Sequence, residues 1–473
     1  VLNADKSSQN SLYNFNYGTY NFEGFGSDSL RSTYWNSKEQ NFGEFNFHHN
    51  YGKTDLKFKS RFFNEQIIDK GNENFKPFDG TATDMYYNTN RVLNLIRFNH
   101  LDSNFTISTS LSLSQTLFSK NQFEVNLINF ELTETDNENY NSEDLFKTIY
   151  GRFEYSYIGN KYESQFGFDL FDEFVSGSKI INDTAQIQRF EIFSKIEFDL
   201  FKKIKTQMGI RIPYHSIYSA PITPSIHFNY VSSPSFQLRS SYARGYRSPT
   251  IKELFMEFID FNHYIYGNQD LLAEYSHSFL SSVSYNMSKK DVFFLKFDLE
   301  LFYNLLENKI QLVEVENSNI FSPIQPYIYY NLSKSVYYGS YFNLNTTILK
   351  NQTFNFSFNN YYIDSYEFED EIHRRSLSIN YILNHSKING GFNFSYKLRF
   401  KSKYQRLEDE VLVSYNVDDY QIFNANFFKN FPDKGVEFGF GIKNILNVKQ
   451  IDYYSNEDPH SDSSQIISWG RTW

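Results

Sequence analysis

The 473-residue sequence has no cysteine, few prolines and glycines, and no long apolar run. Without cysteine there are no disulfides, no thiolate nucleophile and no cysteine-ligated metal site. The 10 prolines and 21 glycines are spread thinly, so no linker-like stretch divides the chain into domains. No run of 18 apolar residues occurs, which excludes a transmembrane helix. The net charge of -10 argues against a nucleic-acid partner.

Aromatic residues are what the sequence has in abundance, with 51 Phe and 38 Tyr in a chain whose mean hydropathy is -0.55. They alternate with polar residues along most of the chain. Residues 105–114, FTISTSLSLS, show the pattern: apolar side chains hold most odd positions and hydroxyls hold all the even ones. Because side chains alternate between the two faces of a strand, each such segment has one apolar and one polar face.

The connections between these segments alternate between short and long. Short turns are predicted at 50–53, 101–104, 158–161, 232–235, 287–291, 349–352, 384–387 and 431–434. Long polar loops are predicted at about 26–40, 65–84, 119–145, 247–273, 306–333, 402–417 and 445–464. This alternation is typical of an up-and-down meander that crosses a membrane.

We therefore predict an all-β fold, a transmembrane up-and-down antiparallel β-barrel of about 20–22 strands with short periplasmic turns and long extracellular loops. Residues 1–473 are predicted to form one outer-membrane β-barrel domain. A soluble sandwich would bury a face rich in Val, Ile and Leu, whereas the apolar face here is Phe and Tyr. A propeller would show a repeat of about 40–50 residues, and the sequence has none.

Two motifs lie in the long segment 244–279. The first is Arg244-Gly-Tyr-Arg-Ser-Pro249, and the second is Gly267-Asn-Gln-Asp-Leu-Leu-Ala-Glu274. Together they resemble TonB-dependent outer-membrane receptors, especially those of Bacteroidetes-type bacteria. The second motif departs from the family's pattern at Gln269, Leu272 and Ala273. Residues 438–450 and 467–473 look like the family's last hairpin.

The resemblance implies a receptor that imports a bulky nutrient such as an iron chelate, haem or cobalamin, with a TonB-type protein supplying energy through a plug domain. The chain begins in barrel sequence, so we expect the plug, the first hairpin and the end of the last strand to be absent from residues 1–473. Outer-membrane lipid and lipopolysaccharide are the expected surroundings. No cofactor is expected apart from haem or a ferric chelate as the transported ligand.

The alternative function is a receptor-like barrel that serves as a structural subunit of a larger outer-membrane complex for secretion, protein insertion or surface-lipoprotein handling. The expected lack of a plug and the altered second motif favour it. A general diffusion porin is a third interpretation, against which the long aromatic loops count. No nucleophile elbow, zinc-binding helix motif or phosphate-binding loop is present, so we predict that the protein is not an enzyme.

His263 is the most specific candidate ligand-binding residue. It lies between the two motifs, in the loop where haem receptors of the resembled family place an iron-binding histidine, and imidazole is a good iron ligand. A packing or surface histidine is the other interpretation. Further candidates lie near predicted outer loops: Tyr246, Arg247, His215, His373 and His460.

The polar faces of the strands are predicted to line the barrel lumen. The lumen-facing residues predicted from the alternation are Lys57, Lys59, Arg61, Thr106, Ser108, Ser110, Ser112, Lys397 and Arg399. We expect the charged residues to pair with a plug or with neighbouring strands. A basic track for an anionic iron chelate is the alternative.

A short helix is predicted immediately after the first motif. Thr250 and Glu253 have the spacing of a capping box, and Pro249 precedes the first turn. Ile251, Leu254 and Phe255 then share one helical face. We expect this face to pack into the barrel mouth and to shape one outer loop.

Overall fold

The computed structural model describes residues 1–26, 31–76, 79–136, 140–259, 264–290, 292–314, 326–365, 371–408, 411–455, 463–468 and 470–473. Within these residues, a 24-stranded sheet contains twenty strands in antiparallel meander order, and four short strands join it at its edges and loops. This confirms the all-β barrel prediction. No helix in the described residues is long and apolar enough to cross a bilayer.

The twenty meander strands are β1 (Leu2–Ser7), β2 (Ser11–Phe22), β3 (Ser37–Tyr51), β4 (Thr54–Lys70), β5 (Asp79–Leu101), β6 (Phe105–Asn126), β7 (Ser142–Ile158), β8 (Tyr162–Ser176), β9 (Thr184–Phe201), β10 (Ile204–His215), β11 (Thr223–Ser233), β12 (Phe236–Arg247), β13 (Glu274–Lys289), β14 (Phe293–Glu314), β15 (Pro326–Ile348), β16 (Gln352–Ser365), β17 (Ile372–His385), β18 (Gly390–Arg399), β19 (Tyr420–Phe431) and β20 (Val436–Ile442). Helix α1 spans Ile251–Phe255, and single 3-10 turns span Ser386–Ile388 and Pro432–Lys434.

The remaining strands are short and lie in or near the long connections. Four of them complete the large sheet: Asn74–Lys76, Leu132–Glu134, Glu257–Ile259 and Tyr264–Tyr266. A separate four-stranded sheet consists of Ser402–Glu408, Val411–Val417, Gln450–Ser455 and Ser463–Ile466, and a two-stranded sheet consists of Phe25–Gly26 and Thr33–Trp35.

All eight predicted short turns lie at short connections of the meander. Two further short turns, at 8–10 and 202–203, were not predicted. The predicted long loops include residues that the structure places in strands. β5 and β6 have 23 and 22 residues and run well into the regions assigned to loops. Their outer parts carry many polar residues, such as Thr83, Asp84, Asn121 and Gln122, and this polarity resembles a loop in the sequence.

The two faces of β6 differ as the alternation predicts. Leu111 lies between Ile96 and Gly151 in the ladder and is 40% exposed. Its neighbour Ser110 lies between Arg97 and Arg152. We call the face that carries the charged rows the lumenal face and the opposite one the outer face.

The apolar stripe of the outer face has a limited height. On β6 it runs from Phe105 to Leu113, a length suited to a bilayer-crossing strand, and Gln115 ends it. Beyond this height polar residues join the outer face: Asn64 Nδ2 donates to Asn90 Oδ1 at 2.6 Å between β4 and β5. The strands therefore extend past the membrane and form a raised outer rim.

An aromatic row marks the upper border of the apolar band on β12–β17. Tyr242 and Phe279 have ring centroids 4.9 Å apart, and Tyr338 and Tyr362 stack at 5.1 Å. Tyr303 joins the two pairs, because it is 6.3 Å from Phe279 and lies opposite Tyr338 in the ladder. Such a row is the aromatic girdle expected at a membrane interface.

The buried apolar cluster lies at the outer mouth, beside α1. Its members are Val175, Ile180, Ala185, Ile187, Ile251, Leu254 and Leu271. The cluster joins the ends of β8 and β9 to the segment between β12 and β13. The predicted packing of the helix into the barrel mouth is confirmed.

Candidate functional site

The outer mouth is organised around Arg247, the last residue of β12. Its Nε and Nη2 donate to Glu274 Oε2 and Oε1 at 2.7 and 2.8 Å, and its Nη1 donates to Glu253 Oε2 at 3.0 Å. Glu253 also closes the predicted capping box, because Thr250 N donates to its Oε2 at 2.7 Å and Thr250 Oγ1 accepts from Glu253 N at 3.3 Å. One guanidinium thus links helix α1 to the first residue of β13.

This arrangement fixes the charge of both partners. The hydrogen bond to Glu274 raises the pKa of Arg247, although burial opposes the shift. Burial acts to raise the pKa of Glu274, but hydrogen bonds from Arg247 and from Ile310 N outweigh it and lower that pKa. Arg247 is a candidate ligand-binding residue from the sequence. In the structure, each of its three guanidinium nitrogens donates a hydrogen bond to Glu274 or Glu253.

The second motif packs directly on the first. Gly267 approaches the end of α1 so closely that an added Cβ lies 2.8 Å from Leu254 C and O. Asn268 N donates to Glu253 O at 2.8 Å, and Asn268 Nδ2 donates to Tyr329 O at 2.8 Å. The two motifs therefore form one rigid unit with the outer part of β15.

His215 and Tyr246 lie near this unit; His215 is buried, and Tyr246 is half-buried with its hydroxyl oxygen inside the protein. His215 is 5% exposed, and its Nδ1 accepts from Ile217 N at 3.1 Å and from Tyr218 N at 3.3 Å. Burial lowers the pKa of His215 to about 4, with a smaller effect from Arg189. Burial also raises the pKa of Tyr246 to about 12, and its hydroxyl has no hydrogen-bond partner among the described residues.

The two described candidate histidines, His215 and His373, are not brought together. His373 lies on the outer face of β17, where its ring stacks on Tyr362 at a centroid distance of 4.1 Å and its Nε2 is 2.6 Å from Asn360 Oδ1. His373 thus extends the aromatic girdle. His263 and His460 lie outside the described residues. In the described part of the chain, no group of three or more His, Asp and Glu side chains is placed to hold a metal ion.

The charged residues of β3 and β4 neutralise one another. Glu44 is 3.0 Å from Lys59 Nζ and 2.6 Å from Arg61 Nη2, and Asp55 is 3.2 Å from Lys57 Nζ. The expected pairing with a neighbouring strand is present for Lys59 and Arg61, whereas Lys57 pairs within its own strand.

The wall formed by β16–β19 is different. Lys397 and Arg399 on β18 and Arg374 on β17 line a recess of about 640 Å³. Within the described chain, none of these three side chains has a hydrogen-bond or ion-pair partner, and the buried Nε of Arg374 is itself unpaired. The other polar side chains of the recess include Asn359, Tyr361, Ser376, Ser378 and Tyr420.

Arg374 was not predicted from the sequence. The pair Arg374-Arg375 places one guanidinium on each face of β17, and parity with Ser376 and Ser378 assigns Arg374 to the lumen. Counting back from Ser378 two residues at a time, through Ser376, identifies Arg374 as a lumenal residue. Arg375 lies on the outer face, over the Phe400 ring at 5.0 Å.

Comparison with known proteins agrees with this architecture. Residues 2–445 match the family model for TonB dependent receptor-like, beta-barrel proteins. The ferric enterobactin receptor of Pseudomonas aeruginosa has a TM-score of 0.64 at 14% identity, covering 94% of this chain and 71% of that one. The FrpB iron transporter of Neisseria meningitidis has a TM-score of 0.64 at 8% identity, covering 99% and 76%. The copper transporter OprC has a TM-score of 0.66 at 10% identity, also covering 99% and 76%. No protein of curated function matches the sequence.

The chain belongs to the TonB-dependent receptor family and forms its outer-membrane β-barrel. Proteins of this family sit in the outer membrane and work with TonB for energy coupling. The family and its structural neighbours are receptors and transporters. Outer-membrane TonB-dependent transport is therefore the function to which this barrel contributes.

Proposed function

We propose that the barrel serves the import of a bulky nutrient, and that the nutrient is an iron chelate. The observation that carries this proposal is the recess of about 640 Å³ lined by Arg374, Lys397 and Arg399. Its volume suits a ligand of several hundred daltons, since ligand pockets typically measure about 300–1,000 Å³. Ferric enterobactin and iron in the names of two structural relatives support the same class of nutrient.

Uptake by cells tests this function. Deletion of the gene is expected to lower accumulation of radioactive iron supplied as a chelate, and expression of the full-length protein is expected to restore it. Iron supplied above the need of a high-affinity system serves as the control condition, because uptake then bypasses the receptor. Equal accumulation in deletion and parent strains, tested across chelates of different charge, contradicts the proposal.

A structural subunit of a larger outer-membrane complex is the alternative. It predicts stable co-purification with partner proteins and no change in nutrient uptake on deletion. The recess favours import over this alternative, because a purely structural barrel has no need of a ligand-sized recess on its lumenal wall.

Haem is a separate form of iron that the same barrel would accept if His263 binds it. Mixing the protein with haemin and recording the Soret band tests this assignment. A shift that is lost in His263→Ala supports it, and an unchanged shift in that variant rejects His263 as the ligand. His215, Tyr246 and Arg247 stay candidates for contact with the nutrient, and the same titration on their alanine variants tests each one. His373 lies on the outer face of β17 and is not among them.

A further inference from the structure

The two ends of the barrel carry charge of opposite sign. The ten short turns that join the meander strands at one end contain eight lysines and three aspartates in their sequence. The nine long connections at the other end contain 22 acidic and seven basic residues. The short turns of an outer-membrane barrel face the periplasm, and its long loops face outwards. Although the chain as a whole has a net charge of -10, its periplasmic end is therefore basic.

The lysines of the short turns are distributed around the barrel. They lie in seven of the ten turns, and all eight are exposed: Lys53, Lys161, Lys202, Lys203, Lys290, Lys350, Lys387 and Lys434. We call this set the lysine ring. Successive turns are two strand spacings apart, which is about 10 Å. The lysines are therefore spread along the rim, and this distribution suits a ligand that surrounds the barrel.

The lysine ring lies at the lower border of the apolar outer face. Tyr157 and Tyr162 flank the turn that contains Lys161, and their ring centroids are 5.6 Å apart. Such aromatic residues mark a membrane interface. Phe201 is 66% exposed and Leu349 is 59% exposed, and each directly precedes a lysine of the ring. A lysine at this depth lays its apolar stem along hydrocarbon and extends its ammonium to the lipid headgroups.

Much of the lysine ring is not neutralised by the protein. Lys53 forms an ion pair with Asp102, and Lys203 Nζ donates to Ser232 O at 2.9 Å. Within the described chain, four lysines of the ring have no ion-pair or hydrogen-bond partner: Lys161, Lys202, Lys387 and Lys434. Each ammonium group has three hydrogen-bond donors. These four side chains therefore offer their charge and donors at the depth of the headgroups.

We propose that the lysine ring binds the headgroups of anionic phospholipids in the periplasmic leaflet. Basic side chains at a membrane surface attract anionic lipids, and an ammonium group donates charge-assisted hydrogen bonds to phosphate. Headgroups surround the barrel as the ring does, whereas an acidic periplasmic protein would need a compact cluster on one arc. The ring thereby helps to fix the depth of the barrel in the bilayer.

Electron paramagnetic resonance of spin-labelled lipids tests this interaction. The full-length receptor is reconstituted into phosphatidylcholine vesicles that contain a trace of spin-labelled phosphatidylglycerol or spin-labelled phosphatidylcholine. The fraction of each label immobilised by the barrel gives the relative association constant of the two lipids. We expect phosphatidylglycerol to be preferred about 2–5-fold at low salt. Added salt is expected to reduce the preference.

A fourfold variant removes the unpartnered part of the ring, and it consists of Lys161→Gln, Lys202→Gln, Lys387→Gln and Lys434→Gln. Its preference for phosphatidylglycerol is expected to fall by half or more. Arginine at the same four positions keeps the charge, so that variant is expected to keep the preference. The matched control removes four lysines from the lumenal face and is expected to behave as wild type: Lys57→Gln, Lys59→Gln, Lys195→Gln and Lys296→Gln.

Heat modifiability on gels confirms that each variant is folded. A loss of preference in the glutamine variant of the ring, with retention in the arginine variant and in the lumenal control, supports the proposal. Equal association of the two lipids with the wild-type protein overturns it and favours an acidic periplasmic protein as the partner of the ring. An undiminished preference in the glutamine variant, or an equal loss in the lumenal control, also overturns it.

Discussion

Arg247 and Glu274 face each other at the outer end of the β12–β13 ladder and are joined by two parallel hydrogen bonds of 2.7 and 2.8 Å. The third contact of the guanidinium, to Glu253, brings in helix α1. This bond set ties the two sequence motifs to each other. The residues that carry the family resemblance therefore build the mouth of the barrel.

Glu274→Gln tests how much this link stabilises the mouth. The variant keeps the size of the side chain but removes its charge, so we expect the outer segment 248–273 to lose about 1–3 kcal/mol of local stability. Faster amide hydrogen exchange in this segment measures the loss. Asp270→Asn, an exposed change in the same segment, is the control. Unchanged exchange in Glu274→Gln contradicts the assigned role.

Gly267→Ala tests the close approach of the second motif to the helix. The added Cβ meets Leu254 C and O and Phe255 N at 2.8 Å, and all three are backbone atoms that no rotamer change can move. We expect a destabilisation of about 1–3 kcal/mol or more and loss of exchange protection in α1. Gly151→Ala is the control, because its Cβ has no neighbour closer than 3.7 Å. Equal protection in the two variants refutes the packing argument.

Leu254→Ala tests the buried cluster of the mouth. Leu254 is 1% exposed, and truncation of such a side chain leaves a cavity that costs about 2–5 kcal/mol. The expected result is increased protease sensitivity of the segment after α1, with the barrel itself intact by circular dichroism. Leu272→Ala, at a residue that is 56% exposed, is expected to behave as wild type. Similar sensitivity of both variants counts against a specific core.

Structural features that depend only on residues close in the sequence were predicted correctly. The capping-box spacing of Thr250 and Glu253 predicted α1, because both hydrogen bonds of the box form within one helical turn. The alternation at 105–114 gave the two faces of β6, because side-chain direction depends only on parity. The strand ends were predicted less well, since many polar residues continue the strands into the outer rim.

Features that depend on the register between neighbouring strands could not be predicted from the sequence. Whether a lumenal cation is neutralised depends on which residue lies opposite, and that distinguishes Lys59, beside Glu44, from Arg399, opposite Ser376. His373 shows the same limit. Its parity with Leu377 places it on the outer face, although its position near a predicted outer loop suggested contact with the nutrient.

The buried imidazole of His215 makes the outer mouth sensitive to pH. Burial lowers its pKa from 6.5 to about 4, so the folded protein holds it neutral. Its stabilising contribution is complete above about pH 6.5 and is lost as the pH falls towards 4. Hydrogen exchange of segment 216–222 is expected to accelerate over this range. His215→Asn keeps an acceptor but does not titrate, so its exchange is expected to lack this pH-dependent step, and an equal step in both proteins contradicts the assignment.

The two faces of β6 give the most direct test of how the barrel meets the membrane. Leu111 is exposed on the outer face, near the middle of the apolar stripe, whereas Ser112 lies on the lumenal face beside Leu95 and Tyr150. Leu111→Arg puts a charge into hydrocarbon and is expected to cost about 2–4 kcal/mol, whereas Ser112→Arg enters a wet lumen and costs much less. Refolding yield into lipid vesicles, read from heat modifiability on gels, measures both. If Ser112→Arg lowers the yield more than Leu111→Arg does, the assignment of the two faces is reversed.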